Sequence, residues 1–83
     1  MYLHLGAGAV VRTDSIIGVF DLDKTSQSHI TRRYLAEAEK SGQVVNVADD
    51  IPKSFVVCRV GGKTTVYLSQ MLPQTLQRRL SNS

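Results

Sequence analysis

The sequence predicts an α+β domain: a small, mainly antiparallel sheet of about six short strands, one main helix and a short C-terminal helix. Three observations predict it. Residues 54–69 form two short runs rich in apolar and β-branched residues about a Gly61-Gly62 pair, the pattern of a hairpin. Residues 26–41 carry apolar side chains at helical spacing. Residues 2–21 break into short apolar pieces separated by turn residues.

Taken in order, Tyr2 to Leu5 reads as a first strand. Gly6-Ala7-Gly8 turns the chain into a second strand, Ala9 to Arg12. Thr13-Asp14 turns it again, and Ile16 to Asp21 is a third. The main helix covers residues 26–41, with Ser26 or Ser28 able to cap its first free amides and Gly42 suited to the left-handed residue that ends it. Ile30, Thr31, Tyr34, Leu35 and Ala38 share one helical face; Arg32, Arg33, Glu37, Glu39 and Lys40 share the other. Val44 to Val47 is a fourth strand, and Ala48 to Pro52 a polar loop. Ser54 to Val60 and Thr64 to Ser69 then form the hairpin, and its two-residue turn sets Val60 opposite Lys63, Cys58 opposite Thr65 and Val56 opposite Tyr67. The last helix runs from Pro73, a residue suited to a first helical position, to Leu80, with Leu72, Leu76 and Leu80 as its stripe.

Both faces of the hairpin are apolar. Phe55, Val57, Val66 and Leu68 line one; Val56, Cys58, Val60 and Tyr67 line the other. Burying such a side chain is worth roughly 1.5–3 kcal/mol, so neither face is left to water. The main helix and the C-terminal helix can cover one. For the second, either another subunit or the first three strands must serve, and the sequence leaves both open. The first choice makes Val56, Cys58, Val60 and Tyr67 an oligomer interface.

The chain has 83 residues, enough for a single domain over 1–83. A domain this small has a thin core, and oligomerisation is one remedy. One cysteine precludes an internal disulfide, and two histidines with it cannot make a usual four-ligand zinc site, so no metal or cofactor is expected. No apolar run reaches the roughly 18 residues of a membrane span, and a cytoplasmic location is expected. The net charge is +3, all of it carried by residues 43–83, whose five cations (Lys53, Arg59, Lys63, Arg78, Arg79) outnumber two acids (Asp49, Asp50). A basic half points to an anionic partner.

Other motifs are bland. Gly6-x-Gly8 lacks both the third glycine and the following helix that a phosphate loop needs. Cys58 sits among valines, with Arg59 pointing to the opposite face, so it reads as structural. His4 and His29 have no acid or serine placed to complete a catalytic set. An enzyme would rest on these three residues alone, and none is expected. Asp49-Asp50 lacks calcium-loop spacing. Arg33 and Glu37 have i,i+4 spacing, which suits a solvated face. Lys53 is the leading candidate for a phosphate contact, with Arg12, Arg59, Lys63, Arg78 and Arg79 behind it.

Five motifs, in order along nearly the whole chain, resemble the Rem family of bacterial extracellular-matrix regulators, nearer its RemB branch than RemA. They are Met1-Tyr2-Leu3-His4-Leu5-Gly6, Val10-Val11-Arg12-Thr13, Ile16-Ile17-Gly18-Val19-Phe20-Asp21, Pro52-Lys53-Ser54-Phe55-Val56-Val57 and Thr75-Leu76-Gln77-Arg78-Arg79. The resemblance implies a fold related to the LytTR DNA-binding domain. It also implies a ring-forming oligomer that binds double-stranded DNA through phosphates and activates transcription of biofilm-matrix genes. Rings would sum a weakly basic patch into a strong field. This chain departs from the RemA-like pattern in having Asp49-Asp50-Ile51-Pro52-Lys53 and Ser15 where RemA-like chains carry arginines. The departure keeps a second reading open: an oligomeric scaffold, or partner of a RemA-type paralogue, with no strong DNA binding of its own.

Overall fold

The computed structural model describes residues 1–22 and 28–81. Its strands are β1 (Tyr2–Gly6), β2 (Ala9–Arg12), β3 (Ile16–Asp21), β4 (Val44–Asn46), β5 (Ser54–Val60) and β6 (Lys63–Ser69). A 3-10 turn (Thr13–Ser15) joins β2 to β3, and the helices are α1 (His29–Lys40) and α2 (Pro73–Ser81). The α+β class is as the sequence predicts.

The strands form two sheets instead of one. β1 and β2 make an antiparallel ribbon, and the other four lie in the order β3-β5-β6-β4. β5 and β6 pair in the register that the glycine turn dictates, including Val60 with Lys63 and Val56 with Tyr67. Gly61 and Gly62 take positive φ angles of 57° and 80°, a geometry that L side chains resist. β4 departs from the expected antiparallel pattern and runs parallel to β6. It does so because α1 carries the chain from β3 to the far edge of the sheet and returns it in the direction of β3, which β6, two antiparallel pairings away, also follows.

α1 starts later than its periodicity suggests. Ser28 is the N-cap, and its hydroxyl accepts from the Thr31 amide at 3.1 Å; Ser26, the other candidate, lies outside the described residues. The helix closes where Gly42 adopts φ 71° and the Gln43 amide donates back to the Ala38 carbonyl at 2.9 Å. Its packing face is narrower than expected. Ala38 is buried and Leu35 half-buried, but Tyr34 is 43% and Ile30 78% exposed. The N-terminal turn of α1 thus presents its apolar side chains to solvent.

The four-stranded sheet is the middle of three layers. On one side Phe55, Val57 and Val66 pack with Ala38 of α1. On the other, Val56 and Cys58 pack with Leu3, Leu5 and Val11 of the ribbon and Leu76 of α2. This corrects the reading of Val56 and Cys58 as interface residues. The same chain covers both, to 0% and 4% exposure, because the ribbon turns its inner face onto the sheet and α2 adds Leu76. Tyr67 is half-buried against the same cluster, and Val60 alone of the four remains exposed. α2 follows its leucine stripe at Leu76 and Leu80, whereas Leu72, just before the helix, is half exposed.

Two buried serines complete the joints. Ser54 and Ser69 fall in the same inward register as Val56 and Cys58 and are fully buried. Ser54 donates to the Met71 carbonyl at 2.8 Å, holding the entry to α2. Ser69 donates to the Leu5 carbonyl at 2.7 Å, holding the end of β1. The net worth of a buried polar group depends on such a partner, and no buried side-chain nitrogen or oxygen among the described residues lacks one.

Candidate nucleic-acid interface

All six candidate cations are exposed, but the fold does not gather them into one patch. Lys53 sits before β5, its backbone tied on both sides: its amide donates to the Ser69 carbonyl and its carbonyl accepts from Leu22. The main chain at Lys53 is thus held at one end of the hairpin, with the side chain exposed. Lys63 opens β6 at the turn, the opposite end, roughly 20 Å away along a seven-residue strand. Arg59 pairs with Thr64 beside that turn, in register with Phe55 and Val57 and hence on the α1 side. Val60 and Lys63 share the ribbon side. Arg78 and Arg79 lie in the last turn of α2, where the helix dipole favours cations; Arg79 Nη1 also approaches the Met71 sulfur at 3.9 Å.

Arg12 ends β2 and is the only one of the six with an ion pair among the described residues. Its Nη2 lies 2.8 Å from Asp14 Oδ2, both side chains being about two-thirds exposed. The sequence carries a signal for this pair, a cation and an acid two apart across a turn. A contact so exposed contributes little to stability, ~0–1 kcal/mol. It does hold the guanidinium near the turn. Lys53, Arg59, Lys63, Arg78 and Arg79 have no acidic partner among the described residues.

The fold does bring Arg12 and Lys63 around one cleft of about 190 Å³ between the ribbon and the turn end of β5–β6. Val10, Val60, Thr65 and Tyr67 share its wall, with Ser15 and Cys58 at its inner side. The sequence names Ser15 and Thr65 separately, but not their meeting at this cleft, which depends on how the ribbon docks. Cys58 is buried, and desolvation raises its thiol above the ordinary value, opposed in part by the Ser15 hydroxyl. A thiol so placed is a poor nucleophile at neutral pH.

No cluster of three or more His, Cys, Asp or Glu that could hold a metal occurs among the described residues. His4 is on the ribbon and His29 on α1, on opposite sides of the central sheet. No described helix is long and apolar enough to cross a membrane. On the outer face of α1, Arg33 and Glu37 come within 3.9 Å, the expected solvated pair.

Fold and surface together define a small three-layer α+β domain that carries exposed cations on its strands, its turns and α2. The comparisons with known proteins agree on its kinship. The model of the RemA-like family, described as extracellular matrix regulatory protein A-like, matches residues 2–80. The extracellular matrix regulatory protein B of Bacillus subtilis (strain 168) is 35% identical over 79 residues, covering 95% of this chain and 89% of that protein. The chain belongs to the RemA-like family and is RemB-like within it.

Proposed function

We propose that this chain regulates extracellular-matrix production in bacteria, as a self-associating protein that holds double-stranded DNA mainly by its phosphate backbone. Family membership supports the matrix role. The observation that carries the DNA reading is Lys53, an exposed cation without an acidic partner among the described residues, whose backbone is tied by two hydrogen bonds at the end of the central hairpin. Phosphate contacts of this kind position a protein on a duplex and need no helix in a groove. Repeating a protomer of charge +3 around an assembly multiplies a weak field into a useful one. For assembly, Val60 at the hairpin turn and Ile30 and Tyr34 on α1 offer the exposed apolar surface. A role of this kind is cytoplasmic and needs no catalysis.

The test is binding of a mixed-sequence duplex as a function of salt. Affinity should fall with a log–log slope near −0.9 per phosphate neutralised, and Lys53→Glu should abolish it without altering the circular dichroism spectrum. Salt-independent binding, or unchanged binding by Lys53→Glu, would exclude this mechanism.

One observation favours a second reading. The loop before Lys53 holds two exposed acids in an ordered arrangement: the Asp49 amide donates to Gln70 Oε1, and Asp50 Oδ1 accepts from the Ile51 amide, both at 2.8 Å. Two carboxylates there, that of Asp50 held by the Ile51 amide, oppose a phosphate and suit a protein partner, such as a RemA-type paralogue. On this reading Lys53→Glu leaves partner binding intact.

A further inference from the structure

We propose that the cleft between the ribbon and the β5–β6 turn is a binding site for a small monocarboxylate with a short apolar body. Its wall is two-natured. Val10 and Val60 are apolar and exposed at 44% and 68%, and Tyr67 presents its side chain to the same space. Lys63 of β6 and Arg12 of β2 line it as well, so two cationic side chains stand at its margin. An apolar wall with a few convergent polar groups is the usual make-up of a small-ligand site.

Charge selects the head group. Lys63 has no acidic partner among the described residues, whereas Arg12 is shared with Asp14 through Nη2. Two cations and one acid leave a single positive charge to be met. A monoanion meets it; a dianion leaves an excess negative charge beside Asp14. The pairing of Arg12 uses one of its five N–H groups, so donors remain for a carboxylate oxygen. The Thr65 hydroxyl, half-buried on the same wall, adds another.

Size selects the body. A volume of about 190 Å³ lies below the roughly 300 Å³ at which drug-sized pockets begin. A branched short-chain acid matches that room; a nucleotide exceeds it. The inference is independent of DNA binding, since it requires only the cleft and its two cations.

The experiment is a titration of the full chain, followed by amide proton–nitrogen NMR spectra, with isovalerate as the probe. Isoamyl alcohol serves as its uncharged counterpart and inorganic phosphate as the more highly charged anion. Isovalerate should give saturable shifts confined to Val10, Arg12, Lys63 and Thr65 and their neighbours. Lys63→Gln should weaken it about tenfold, the loss of a charge-assisted hydrogen bond, while Lys40→Gln on α1 should not. Shifts that are linear and scattered, or equal affinity for the alcohol, would overturn the site. Tighter binding of phosphate than of isovalerate would overturn the monocarboxylate class, as would an unaltered affinity in Lys63→Gln.

Discussion

The hydroxyl of Ser69 donates to the carbonyl of Leu5 at 2.7 Å across a sequence separation of 64 residues, and both residues are fully buried. The bond exists because the β1–β2 register shifts between His4 and Gly6 and leaves Leu5 outside the paired positions. Ser69 Oγ also accepts from the Met71 amide at 3.1 Å. One hydroxyl therefore joins the ribbon, the central sheet and the approach to α2. Ser69→Ala should cost about 1–3 kcal/mol, the penalty for stranding a buried polar group, read as a lower urea midpoint. An unchanged midpoint would mean that water replaces the hydroxyl.

Gly18 and Phe20 predict a second effect. A Cβ on Gly18 would meet Phe20 Cζ at 2.6 Å, while the Phe20 ring stacks on Phe55 with centroids 4.9 Å apart. The ring cannot yield to the methyl group and keep its stack. Gly18→Ala should cost ~0.5–1.5 kcal/mol, the worth of an aromatic pair. In a Phe20→Ala background the same change should cost much less. A double-mutant cycle measures this coupling, and additive costs would dismiss it.

Cys58 sets a pH dependence. Its thiol is raised by burial, so the folded chain keeps the proton at a pH where the unfolded chain releases it. The stabilisation is complete below the unfolded value of roughly 8.5 and is lost as pH rises through it toward the folded value. Stability should decline in that alkaline window, and Cys58→Ala should flatten the decline while lowering stability throughout. Equal slopes in both proteins would assign the decline to other groups.

Ile30 should separate assembly from folding. At 78% exposure it contributes little to the protomer's core, and Ile30→Glu should change stability by less than about 0.5 kcal/mol. If the α1 surface joins protomers, the same substitution reduces the mass measured by light scattering. A full-sized assembly in the variant would place the contact elsewhere.

What was legible in the sequence follows from how local each determinant is. The Gly61-Gly62 turn fixes two strands and their register within sixteen residues, so the hairpin could be read residue by residue. Ser28 and Gly42 bracket α1 by local chemistry, and Pro73 opens α2 in the same way. The division into two sheets is a different matter, because nothing within residues 2–12 states whether the ribbon joins a sheet or packs on one. The parallel pairing of β4 also depends on a crossover. Leu76 declares an apolar stripe but not its destination, so Val56 and Cys58 could be read as awaiting another subunit. Ser54 and Ser69 did carry a signal: small hydroxyls in an inward register among valines need a backbone partner. For the candidate interface, the cations were legible as residue types, but their dispersal over two faces and both hairpin ends is a property of the whole fold.

The tie between Leu5 and Ser69 also governs when the chain can become a protein during its synthesis. The ribbon is made before the elements that close it: its inner face packs on Val56, Cys58 and Leu76, and its Leu5 carbonyl waits for Ser69. At about 5–20 residues per second, the earliest part of the chain stays without its partners for some seconds. Docking of the ribbon is thereby deferred until Leu76 has been made, and a chain halted before it should be cut by protease in the ribbon faster than the full one. A fragment that stops short of Leu76 keeps the ribbon but lacks part of the surface that buries it.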